Sequence, residues 1–231
     1  MSLSAKDLER VQMAYHEAAH AVVLVAALGE RFERVELFDP SDPLEGGLGV
    51  GGRVNRHGLP LAYRIQLYEK LRAGLGPPAR GADPAASPSP AERVDADLYA
   101  AVFFELAGIA AEYEAGAGYT SWADDAVDRG RAPDPEEELR ERADFDDKDV
   151  VNAVMLLEPL GVPLADAFED ARSFVSEPEV WRAIERLKEE LLDRRGLSYA
   201  EAMEIEEVDG IWHKKSDQVS ALLRARREDP A

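Results

Sequence analysis

The stretch Ala14-Tyr15-His16-Glu17-Ala18-Ala19-His20-Ala21-Val22-Val23 decides the fold expected of this chain. Around it, Leu8, Val11, Tyr15, Val22 and Val25 recur at the spacing of one helix face, and Ser4 followed three residues later by Asp7 has the pattern of an N-terminal cap. The spacing predicts a helix over residues 5–28, stopped by Gly29. Positions i and i+4 of a helix lie one turn apart on the same face. His16 and His20 can therefore aim ring nitrogens at one metal ion, with Glu17 beside the first of them. Alanines at 18, 19 and 21 let another backbone come close to the histidine face, where a solvated face would carry charges.

The H-E-x-x-H spacing is that of a zinc hydrolase. Zinc lowers the pKa of a water it binds to roughly 7, and a neighbouring carboxylate can take the proton during attack on a carbonyl and return it to the leaving amine. The sequence thus nominates His16 and His20 as ligands of Zn2+ and Glu17 as the general base. With no cysteine in the chain, any further protein ligand is a histidine or a carboxylate. His57 and His213 sit in glycine-rich and charged surroundings without a partner at ligand spacing, and they read as exposed side chains.

A chain of 231 residues, 45% of them hydrophobic, can bury one sizeable core. Its net charge of -20 repels phosphate backbones and anionic head groups, which argues against nucleic acid or a membrane surface as the main partner. Divalent cations and neutral or basic peptides remain welcome. The apolar run Ala21 to Leu28 falls short of the ~20 residues that span a bilayer. MSLSAKDLER at the start has no basic stretch leading into an apolar core, so the expectation is a cytoplasmic protein.

Outward from the first helix, Phe32, Val35, Leu37 and Phe38 form a β-type run, and Leu48, Val50 and Val54 form another beyond the turn-forming DPSDPLEGG segment. Together they predict a small β-hairpin edge. Leu61 to Leu75 reads as a helix, followed by a proline-rich loop at 76–90 that should be mobile. Leu98, Val102, Phe103, Leu106 and Ile109 mark a long helix over 91–115, too apolar for a surface position and so expected to be central. Glu112 on it is either an acceptor for the free N–H of a ligand histidine or a surface glutamate. Residues 117–143 read as an acidic loop, Phe145 to Leu160 as a shorter helix, and 164–175 and 178–195 as two more. The expected architecture is mainly α (α+β), one domain over 1–205, with 206–231 as a charged C-terminal extension, frayed or lying on the surface.

The segment AYHEAAHAVV resembles the AYHEAGHAVV segment of the FtsH peptidase family, with Ala19 in place of the usual glycine. LAGIAAEYEAG, Leu106 to Gly116, is similar to that family's helix of the type LAGRAAEE, and VWRAIERLKEELLDRRGLSYAEAMEI to its closing helices. The resemblance spans residues 14 to 205. It implies a helical, zincin-like metallopeptidase domain, here without the phosphate-binding loop of the AAA+ ATPase that normally accompanies it. It also implies a third zinc ligand, an aspartate that opens a later helix in a pattern like S-D-hydrophobic-x-x-A. In ADFDDKDVVNA, Asp149 with Val150 and Ala153 reproduces that spacing and shares a face with Leu157 and Leu160. Asp146 shares the face and is the fallback; Asp144 lies on a wetter face through Lys148 and Asn152, and Asp147 fits worst.

The function expected is a zinc-dependent, ATP-independent endopeptidase acting on peptides or unfolded proteins, as a monomer or a homo-oligomer. The rival is a metal-binding interaction module that keeps the fold without turnover. An intact Glu17 favours chemistry, since a binding module has no need of a general base beside the metal.

Overall fold

The computed structural model describes residues 5–38, 51–56, 60–75, 88–116, 139, 142, 147–211 and 216–228. These are mainly helical, with one three-stranded sheet. Helix α1 (Ala5–Val23) continues into a π-helical turn at Leu24–Leu28. It lies between helix α3 (Pro90–Glu114) and helix α6 (Pro178–Arg194), which is why Ala14, Ala18, Ala19, Ala21 and Val22 are all fully buried. Alanines on the contact face bring the helix axes close, and closeness is what a site built from two neighbouring helices needs.

From Asp7 to Leu28 this helix is long and apolar enough to cross a membrane, contrary to the reading of the run Ala21–Leu28 alone. The alanines of its buried faces lift the average over a longer window. Most of that window is packed inside the protein, as in any core helix.

Strand β1 (Phe32–Phe38) pairs antiparallel with β2 (Gly51–Arg56), matching Val35 with Val54 and Leu37 with Gly52. The residues joining them, 39–50, lie outside the described part. The expected two-stranded hairpin is in fact the larger part of a three-stranded sheet in the order β2-β1-β3. The third strand, β3 (Gly196–Ser198), sets the fully buried Leu197 opposite Val35. Three residues are too few to show the alternation by which a strand is recognised, so β3 left no mark in the sequence pattern.

Helix α2 (Leu61–Ala73) packs on α3. The proline-rich stretch falls at 76–87, outside the described residues, and α3 begins at Pro90 behind a complete capping box. Ser89 Oγ accepts from the Glu92 backbone N–H, and the Glu92 carboxylate accepts from that of Ser89. A cap of this kind is worth about 1 kcal/mol. As expected, α3 is central, with Val102, Phe103, Leu106 and Ile109 buried and contacts to α1, α2 and three of the helices that follow.

Helix α4 (Lys148–Leu157) starts three residues later than the apolar pattern indicates, because Asp147 caps it by accepting from the N–H groups of Asp149 and Val150. A 3-10 turn at Glu158–Leu160 leads to α5 (Leu164–Val175), then to α6. Two short helices, α7 (Tyr199–Ala202) and α8 (Glu206–Gly210), follow β3.

The expected surface extension is instead part of the body. Helix α9 (Ser216–Glu228) packs on α3 with Val219 and Leu223 buried. Its late arginines are held by buried carboxylates. Arg226 donates to both oxygens of Asp170 at 2.8 and 3.1 Å, and Arg227 donates to Asp95 at 2.7 Å. Asp95 is fully buried and also accepts from Tyr68 and Arg72, both at 2.9 Å. The charge of the segment hid the short Val219/Leu223 apolar stripe between its arginines.

Candidate metal centre

His16 and His20 stand one turn apart on α1, and α4 brings Asp149 across to them. Asp149 Oδ2 is 3.1 Å from His16 Nε2 and 3.2 Å from His20 Nε2, and the two nitrogens are 3.0 Å apart. Of the four aspartates in the 143–153 stretch, Asp149 meets the histidines and Asp147 is engaged as a helix cap. Asp144 and the fallback Asp146 lie outside the described residues, as do His57 and His213.

The other ring nitrogens fix the protons. His20 Nδ1 is 2.6 Å from the Phe104 carbonyl oxygen, which can only accept, so Nδ1 carries the hydrogen. His16 Nδ1 is 2.7 Å from Glu112 Oε1. Burial alone would push the Glu112 carboxyl up, but His16 and Arg142 overcome it and bring it down to about 2, so it too is an ionised acceptor. Arg142 secures its other oxygen at 3.0 Å. With both Nδ1 atoms donating, each neutral ring presents its Nε2 lone pair to the same anionic oxygen.

Three electron-rich atoms meeting at one point demand a positive charge between them. Burial raises the Asp149 carboxyl, yet the two imidazoles hold it well below the usual carboxylate range. Burial lowers His16 and His20, and the facing carboxylates of Asp149 and Glu112 in the first case, chiefly Asp149 in the second, reverse this and raise both. A proton and a metal ion therefore compete for the same lone pairs. Donors at the corners of a tetrahedron with bonds of ~2.0–2.1 Å stand about 3.3–3.4 Å apart. The observed triangle, with edges of 3.0 to 3.2 Å, is close to that, and two imidazoles with one carboxylate are a donor set that suits zinc.

Two glycines set the walls. A Cβ at Gly108 of α3 would come within 2.5 Å of the His16 ring, so only a glycine lets α3 lie against the histidine face. On the other side, a Cβ at Gly52 of β2 would come within 2.3 Å of Glu17 Cγ. Glu17 is thus clamped between α1 and β2 and is only 5% exposed. Burial pushes its carboxyl up, partly offset by His16 and His20.

The sequence singled out Glu112 without placing it in the site; its 2.7 Å bond to His16 places it there. Arg142, Gly108 and the Phe104 carbonyl carried no local signal of a role. Each acts through a contact between residues distant in the chain. No family model matches the chain, and no curated protein matches it.

Proposed function

We propose that this chain is a zinc-dependent peptidase with a zincin-like site of the FtsH type, His16, His20 and Asp149 holding the metal and Glu17 acting as general base. The observation that carries the reading is the closed triangle of Nε2, Nε2 and Oδ2 atoms, formed by two residues at H-E-x-x-H spacing and a third over a hundred residues away. Zinc held there would supply Lewis-acid polarisation of water and of the scissile carbonyl.

The chain's own residues do the rest. Glu17, ionised and fixed by Gly52, takes a proton from the attacking water and delivers it to the leaving amine nitrogen as the C–N bond breaks. Glu112 and the Phe104 carbonyl hold the two imidazoles in the tautomer that leaves Nε2 free. His16 and Arg142 together keep Glu112 ionised. The outer edge of β2 has no strand paired to it among the described residues, and an extended peptide can add there beside Glu17.

The test is hydrolysis of casein and of quenched fluorescent peptides by the zinc-loaded protein. Cleavage should stop with a chelator and return with zinc; a zinc-replete protein that cuts none of them is not a peptidase. Gly52→Ala supplies a second check. The added methyl must displace Glu17 and leave His16, His20 and Asp149 in place, so zinc content should stay at the wild-type value while turnover drops by roughly tenfold or more, the scale of a misplaced reacting group. Wild-type turnover in that variant would mean that the position of Glu17 does not matter.

A further inference from the structure

Inward positions alternate along β2. Gly52 abuts Glu17, Val54 packs on the core, and Arg56 lays its guanidinium 4.7 Å from the centre of the Phe104 ring. Phe104 in turn packs against His20 with ring centres 5.0 Å apart. The guanidinium therefore lies within about 10 Å of the His20 ring, the length of roughly three extended residues.

This arginine is poorly satisfied. Its side chain is 18% exposed, and its Nη1 is buried without a hydrogen-bond partner among the described residues. Its ion pair is a loose one, 3.4 Å from Glu105 Oε1, which is itself buried with no hydrogen bond among the described residues. Glu105 is committed elsewhere, since its other oxygen accepts from Asn152 Nδ2 at 3.0 Å, on the helix that carries Asp149. Burial also pushes the Glu105 carboxyl up, which weakens it as a counter-ion. A guanidinium has five donors in a planar fork, and leaving it short of acceptors in a nearly closed position is costly unless an acceptor arrives.

We propose that Arg56 is a specificity-determining residue that binds a carboxylate of the peptide substrate, an acidic side chain or the free C-terminus, about three residues from the scissile bond. The proposal rests on the peptidase reading. A carboxylate fits the planar fork in two parallel hydrogen bonds. In a chain of net charge -20, a cation on the inward face of the edge strand makes one local exception to the general repulsion of acidic peptides.

Matched peptides test it, each pair differing by Glu against Gln at one position within four residues of the scissile bond, or by a free against an amidated C-terminus. Cleavage is read as kcat/KM, and binding by fluorescence anisotropy on zinc-loaded Glu17→Gln protein, which needs no turnover. The wild type should prefer the carboxylate member of one pair by roughly tenfold or more. In Arg56→Gln the ratio should fall to about one at unchanged zinc content, and Arg56→Lys should restore part of it. Preference in the Glu/Gln pairs identifies a side-chain carboxylate; preference in the acid/amide pair identifies the C-terminus. Cleavage without any carboxylate preference, or a preference that survives Arg56→Gln, overturns the assignment of Arg56 and leaves the peptidase standing. Carboxylate-dependent binding without cleavage does the reverse. Neither binding nor cleavage by zinc-loaded protein overturns both.

Discussion

Glu17→Gln should keep the metal and lower peptide turnover by roughly two to four orders of magnitude, the usual worth of a positioned proton carrier. The amide is almost the same size and fits the same slot against Gly52, so the triangle of ligand atoms is undisturbed. What is lost is the ability to take a proton. The pH profile gives an independent signature. Burial raises the Glu17 carboxyl above an ordinary glutamate, and the base works only when ionised. The wild-type kcat/KM should therefore decline as pH falls and Glu17 takes up a proton, and residual Glu17→Gln activity should lack that step. Zinc content near one per chain together with wild-type turnover in Glu17→Gln would remove Glu17 from the role of base.

Asp149→Asn should weaken zinc binding by more than the roughly 10–100-fold typical of a residue that merely supports a ligand. The substitution replaces the anionic oxygen shared by His16 and His20 with a neutral one, and zinc's preference for an ionised donor goes with it. His16→Ala and His20→Ala should each abolish binding, since two donors are left. Asp147→Asn is the control. Asparagine caps a helix as well as aspartate does, so it should keep both α4 and the metal. Competitive titration against a chromophoric chelator measures all four. Normal affinity in Asp149→Asn, or a loss in Asp147→Asn, would mean that the metal is held by a different set of carboxylates.

Much was legible in the chain because it depends on local periodicity. The α1 helix, the apolar α3, and the pair α5 and α6 announce themselves through spacing at 3.6 residues, and the i, i+4 rule alone puts His16 and His20 on one face. Asp149 was a graded choice among four aspartates, since the face argument orders them without saying which one reaches α1. That required α3 to lie between, at a distance Gly108 permits. The same holds for Glu112, which from the sequence was equally an outward glutamate. A helix periodicity gives the face but not the neighbour.

Where the reading fell short, the reason is length or charge. β3 has three residues and borrows its hydrogen bonds from β1, so nothing in Gly196-Leu197-Ser198 alone marks it as a strand. In α9, arginines that look solvated are neutralised by Asp95 and Asp170, which are more than fifty residues distant. Composition reads a charge without its counter-ion. The sequence by itself determined the mainly helical character and the pair of histidines with Glu17 between them. Only the tertiary structure decided the third corner of the triangle, the clamp of Gly52 on Glu17 and the position of Arg56, because each is a contact between segments whose separation along the chain carries no local signal.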